Sequence, residues 1–251
     1  MRVTTFNLRC KCKEKDENNM WANRLPNIKI QLDFLDSDLY GFQELRKEQY
    51  DDVIPLLPDY DSVFQGRDGF DDEGTPIFYK KDKFELLEKG SYYLNEHPQT
   101  PGKGWDACCL RVASFVALKE KASGKIFTYF NTHLDHVGKV AQAEGIKLMV
   151  QKMKEVGGSM LLSGDFNVYE DDVTYEIATE FLKDSKYIAK KSTSGNTFHN
   201  YGLVPYDKNI SPIDYIMVSD GVRVDEYNIL ARAEKDGFAS DHFAVYVDIE
   251  L

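Results

Sequence analysis

Met160-Leu161-Leu162-Ser163-Gly164-Asp165-Phe166-Asn167 is the stretch on which the rest of the sequence hangs. Met160 to Ser163 reads as a buried strand, and Ser163-Gly164 as a small-residue turn that presents a carboxylate and an amide two positions apart. In extended backbone, residues two apart project the same way, so Asp165 and Asn167 face one site. A carboxylate can hold a water there, while an amide offers N–H groups to a phosphoryl oxygen. Taken alone, the five residues from Ser163 are equally an ordinary Asx-rich turn. The question is whether other strands end in the same way.

They do. Val3 to Leu8 is β-rich and contains Asn7; Leu39 to Gln43 reads as a buried strand closed by Glu44. Ile126 to Leu134 carries Asn131 and His133 on one face, with His136 in the loop beyond, and Ile213 to Val218 opens with Asp214. Phe243 to Leu251 alternates strictly at Phe243, Val245, Val247, Ile249 and Leu251, and Asp241-His242 precedes it. Asp61 to Gln65, Pro76 to Lys80 and Val112 to Lys119 complete the expected strands. Helices are expected where Leu25, Ile28, Leu32 and Leu35 share a face, with Pro26 in the first turn. A second follows with Tyr50, Val53, Ile54 and Leu57, and a third runs from Lys139 to Glu155, ended by Gly157-Gly158.

Neighbours in an extended segment point to opposite sides, so Asp241 is poorly placed to orient His242. Asp214 is the candidate for that task. His133, cationic or hydrogen-bonding, suits a phosphate oxygen. Glu44 is an odd charge at the end of a buried strand unless it meets a hard cation, since Mg²⁺ prefers oxygen ligands.

Composition sets the outer bounds. The chain has 251 residues, 42% of them apolar, including 15 Phe and 15 Tyr, which is ample for one large core, so residues 1–251 are expected to form a single catalytic domain. A net charge of −11 disfavours a broad nucleic-acid surface, although a bound divalent cation can reverse the field locally. No apolar run has the length of a signal peptide or membrane span, so a cytoplasmic location is expected, with no membrane span and no obligate protein partner. Cys10, Cys12, Cys108 and Cys109 match no common zinc spacing and read as reduced, half-buried thiols.

Thr5-Phe6-Asn7, Phe42-Gln43-Glu44, Asn131-Thr132-His133-Leu134, Gly164-Asp165-Phe166-Asn167, Ile213-Asp214-Tyr215 and Ser240-Asp241-His242 occur in the order seen in the endonuclease/exonuclease/phosphatase (deoxyribonuclease I-like) superfamily. The chain resembles that family over nearly its whole length, and is most similar to bacterial members of undefined substrate and to the deadenylase-like branch. The resemblance implies an α/β (α+β) fold: a four-layer sandwich of two mixed β-sheets flanked by helices, with the site at one edge. It implies a phosphoester hydrolase using Mg²⁺ or Mn²⁺, held by Glu44, Asn7 and Asp241. It further implies that Asp165 orients or deprotonates the attacking water, that Asn167 and His133 bind phosphate, and that Asp214 orients His242. His242 then serves as general base or phosphate stabiliser.

The substrate is less legible. The acidic loop Asp68 to Gly74 suits DNA poorly, so a small phosphodiester or a single-stranded nucleic-acid end ranks above a duplex. Trp105 and Arg111, near a Gly-rich turn, are candidates to stack on or grip it. The alternatives are a DNA-repair or nonspecific endonuclease and an inositol or lipid phosphate phosphatase, although no dense Lys/Arg cluster is evident for a polyphosphate. A catalytically inactive binding module is the non-enzymatic alternative.

Overall fold

The computed structural model describes all 251 residues. In chain order the elements are β1 (Arg2–Asn7), α1 (Trp21–Leu35), β2 (Leu39–Gln43), α2 (Lys47–Val53), β3 (Tyr60–Val63), β4 (Ile77–Lys80), β5 (Phe84–Tyr93), β6 (Val112–Glu120) and β7 (Ile126–His133). They continue with α3 (Lys139–Val156), β8 (Ser159–Asp165), α4 (Val173–Thr179), β9 (Lys183–Asp184), α5 (Ser185–Ile188), β10 (Lys191–Ser192), β11 (Asp214–Val218), β12 (Arg223–Ile229) and β13 (Val245–Glu250). One mixed sheet has the order β10-β12-β13-β1-β2-β4-β3 and the other β5-β6-β7-β8-β11-β9. The two pack face to face with helices outside, which is the expected four-layer sandwich.

The apolar runs follow from that layering. Leu161 belongs to the cluster between the sheets, with Val3, Leu39, Val116, Ile216 and Val247. Its neighbour Leu162 points to the other face and packs with Ile146, Met149 and Met153 of α3. A strand covered on both faces has no polar side to show, so Met160-Leu161-Leu162 is continuous where β13 alternates. Ile28, Leu32 and Leu35 of α1 cover Tyr40 and Phe42 on the opposite flank. Each such side chain, fully buried, contributes about 1.5–3 kcal/mol.

One expectation needs correction, and several elements lie outside the sequence reading. Pro26 lies inside α1, not in its first turn, because the helix begins at Trp21. Trp21 is buried in the flanking core, and the buried Arg24 guanidinium donates to the carbonyls of Leu8, Arg9, Asn19 and Ala239. These tertiary contacts hold an extra turn that local signals do not announce. The strands β5, β9, β10 and β12 and the short helices α4 and α5 are absent from the sequence reading. β5 is a sheet edge with a bulge between Leu86 and Glu88, and its Phe-Glu-Leu-Leu-Glu-Lys pattern lacks alternation. No helix is long and apolar enough to cross a membrane.

Candidate active site

Three neighbouring strands bring polar groups into one row. His133, the last residue of β7, pairs in register with Asp165 at the end of β8, and Asp165 pairs with Asp214 at the start of β11. This close approach depends on Gly164 (φ +151°), where a Cβ would lie 2.1 Å from the Thr132 carbonyl oxygen. In the other sheet, β1 and β2 run parallel and end side by side at Asn7 and Gln43, with Glu44 just beyond. Residues 239–241 bend before the isolated bridge between His242 and Phe198. The extended segment expected there is not formed, and Asp241 and His242 both reach the pocket.

Glu44, Arg111, His133, Asp165, Asn167, Asp241 and His242 line a single pocket of about 350 Å³. Asn7 and Asp214 stand behind it: Asn7 Nδ2 donates to Asp165 Oδ2 (2.9 Å) and to Glu44 Oε1 (3.1 Å), and His242 Nδ1 lies 2.8 Å from Asp214 Oδ2. Trp105 is not brought here. It lines a separate hollow with Asn95, Glu144 and Lys147. Arg9, Cys10, Arg67, Glu73, Cys109, His136 and Phe198 also line the pocket. Of these, the sequence singles out His136 in the loop after His133, and Cys10 and Cys109 as thiols, whereas Arg9, Arg67, Glu73 and Phe198 carry no signal of their own.

Glu44 (φ 64°) and Asn167 (φ 55°) adopt left-handed backbone. That conformation costs a non-glycine residue on the order of 1–3 kcal/mol and concentrates at functional sites. The Cys10 N–H holds Glu44 Oε2 (2.9 Å), and the Asn167 N–H holds Asp165 Oδ1 (2.9 Å). Asn167 Nδ2 donates to the Leu134 carbonyl (3.1 Å) and lies 3.0 Å from His133 Nε2.

Charge is divided unequally among these groups. Burial disfavours the His242 imidazolium, yet the Asp214 and Asp165 carboxylates outweigh it and push the ring up to about 10. Burial and the neighbouring Asp214 raise Asp165, and burial also raises Asp241, with Glu44 adding to the shift. Burial and Arg111 keep His133 neutral. Arg111 Nη1 lies 3.0 Å from its Nδ1 and Asn167 Nδ2 lies 3.0 Å from its Nε2, so a donor faces each ring nitrogen, and Nε2 is 3.6 Å from Asp165 Oδ2. Against the cost of burial, the Cys10 amide, Asn7 and Arg9 favour the Glu44 carboxylate, and a charge on His133 would favour it more than any of them.

The donor set suits a hard divalent cation. Glu44, Asp165 and Asp241 offer carboxylate oxygens into one pocket, and the like charges of Asp214 beside Asp165 and Glu44 beside Asp241 are ones a cation would relieve. Arg9 is the nearest guanidinium, 3.9 Å from Glu44 and 3.7 Å from Asp241. The ligand atoms of Asp165, Asp214 and His242 also lie within 4.8 Å of one another.

No family model matches the chain. It is similar to the crystal structure of an endonuclease/exonuclease/phosphatase family protein from Bacteroides thetaiotaomicron, with 35% identity and a TM-score of 0.95, covering 100% of this chain and 98% of that one. A mannosyl-6-phosphatase from Bacteroides thetaiotaomicron VPI-5482 is 34% identical, with a TM-score of 0.94 and complete coverage of both chains. Among curated proteins, the 3'-5'-exoribonuclease subunit Ccr4 of the CCR4-Not complex of Saccharomyces cerevisiae is 24% identical over 79% of this chain. The chain spans less than half the length of the curated relatives it matches, 46% and 30%.

Proposed function

Since the chain belongs to the endonuclease/exonuclease/phosphatase family and is a phosphoesterase, we propose that residues 1–251 act as one catalytic domain that removes the phosphate from a small phosphorylated molecule, a sugar phosphate being the leading class. The observation that carries this reading is the pocket itself. At about 350 Å³ it suits one sugar phosphate, and Arg9, Arg67 and Arg111 line it beside the acids, so guanidinium groups are at hand for a phosphate on a chain of net charge −11. The likeness to the mannosyl-6-phosphatase supports the same class.

The proposed roles follow from the geometry. Asp165 is basic enough, through burial and Asp214, to take a proton from water, and Asn7 Nδ2 and the Asn167 N–H fix its two oxygens. His242, held as imidazolium by Asp214, turns Nε2 toward Asp165 Oδ2 at 3.7 Å and meets charge growing on the phosphoryl group. Asn167 and Arg111, with His133 between them, would bind the phosphate oxygens, each such donor being worth about 3 kcal/mol. Glu44 and Asp241, with Asn7 behind them, would hold Mg²⁺ or Mn²⁺, which neutralises charge on the transferring group.

A single-stranded 3′ end is the second reading, favoured by the likeness to Ccr4 and by Phe198, 36% exposed at the pocket, which could stack on a base. One panel separates the two: mannose 6-phosphate and other hexose phosphates, bis-p-nitrophenyl phosphate, oligo(A) and an abasic duplex, with metal titrated. Hexose phosphates should be hydrolysed fastest and EDTA should abolish turnover. Preference for oligo(A) overturns the substrate class, and activity undiminished by chelator overturns the mechanism.

A further inference from the structure

Beyond the pocket acids lies a second donor set of different chemistry. Cys108 Sγ is 3.4 Å from Cys109 Sγ, 3.3 Å from Asp135 Oδ2 and 3.5 Å from His136 Nδ1. All four residues can offer one ligand atom each within a span of 4.8 Å. In a tetrahedral zinc site, bonds of about 2.0–2.3 Å place ligand atoms roughly 3.3–3.8 Å apart, so these separations already match. Two thiols, an imidazole and a carboxylate form a softer set than the oxygens of Glu44, Asp165 and Asp241, and thiolates select Zn²⁺ over Mg²⁺.

We propose that Cys108, Cys109, Asp135 and His136 form a thiolate-rich site for one Zn²⁺-class cation at the rim of the pocket, separate from the hard-cation site. The Cys108 thiol now donates to Asp135 Oδ2, and the cation takes the place of that proton, with the thiol protons released to solvent. Asp135 is already oriented for it: Oδ1 is held by the Val137 and Gly138 N–H groups (3.0 and 2.8 Å), which leaves Oδ2 turned toward the thiols and the Cys109 N–H (3.1 Å). Two thiolates and a carboxylate together offset the cation and the nearby Arg111 guanidinium, whose Nε lies 3.8 Å from Asp135 Oδ2.

The site is wired to the pocket, because Cys109 and His136 line both. Arg111 Nη2 now donates to His136 Nδ1 (3.1 Å). A metal on Nδ1 takes that lone pair, and a metal on Nε2 leaves a proton on Nδ1, so either mode frees this arm of Arg111 for a phosphate oxygen.

The test is Co²⁺ titration of the reduced full chain in excess Mg²⁺, followed by the thiolate-to-cobalt absorption band, with X-ray absorption of the Zn²⁺-loaded protein. We expect one equivalent bound, two sulfur neighbours at about 2.3 Å, a band retained in Asp165→Asn and lost in the Cys108→Ser/Cys109→Ser double variant. A zinc shell without sulfur overturns the proposal even if the variant fails to fold. So does a band that survives the double substitution, which would put the metal on Cys10 and Cys12.

Discussion

Asp165 and His242 show how much two side chains depend on a third. Asp214 touches both: it raises the carboxyl by repulsion and the imidazole by attraction. If turnover needs ionised Asp165 and protonated His242, the rate rises above the ordinary carboxylate range and falls as pH approaches about 10. Asp214→Asn removes the repulsion and the attraction together, so both limbs of the pH-rate profile should move to lower pH; limbs left in place would refute the assigned role. The same shift stabilises the fold: the gain is complete below the ordinary histidine value of 6.5 and is lost as pH rises through about 10. Asp165→Asn should lower kcat by at least ~100-fold with little change in melting temperature, and near-full turnover would remove Asp165 from the chemistry. The residue types and their order were legible in the sequence. The left-handed backbone at Glu44 and Asn167 was not, because neither is glycine and nothing local demands it.

At the scale of elements, α3 owes its start to a residue far away in sequence. Gly138 precedes the helix and has no side chain to cap it, so the Ala141 N–H donates to Asp106 Oδ1 (2.7 Å) and the Val140 N–H to Asp106 Oδ2 (3.3 Å). The stretch from Gly102 to Arg111, read from sequence as gripping substrate, thus divides its labour. Arg111 enters the pocket, Asp106 caps a helix and Trp105 packs elsewhere. Asp106→Ala should cost about 1 kcal/mol in urea unfolding and leave phosphoesterase turnover unchanged, while Asp106→Asn keeps most of the stability. An unaltered midpoint in the alanine variant would show that the cap does not matter.

Across the whole molecule, the sheets are joined beneath the site by polar groups as well as by apolar packing. Buried Asn131 of β7 accepts from Gln43 Nε2 (2.7 Å) and from the Ser163 hydroxyl (3.1 Å), and donates to the Phe42 carbonyl (2.8 Å) of the opposite sheet. Asn131→Ala should cost about 2–4 kcal/mol, since each buried group left unpaired costs ~1–3 kcal/mol; a loss well under that, measured by denaturant midpoint, would argue that water replaces the amide. The pocket carboxylates make a second prediction at this scale. Mg²⁺ or Mn²⁺ at a hundred times its dissociation constant should add about 2.7 kcal/mol to metal-free protein, read as a rise in melting temperature that Glu44→Gln reduces. No rise would mean that the acids do not hold the cation. The sequence by itself determined the apolar periodicity of β13 and α3, the continuous run of β8 and the acids, amides and imidazoles at strand ends, because those signals repeat over a few neighbouring residues. Only the tertiary structure decided that Asn7 and His242 meet through Asp165, that Arg9, Arg67 and Phe198 share their pocket, and that Cys108 faces His136. Those outcomes rest on contacts shorter than 4 Å between residues tens to hundreds of positions apart, set by sheet register and loop closure, which no local pattern encodes.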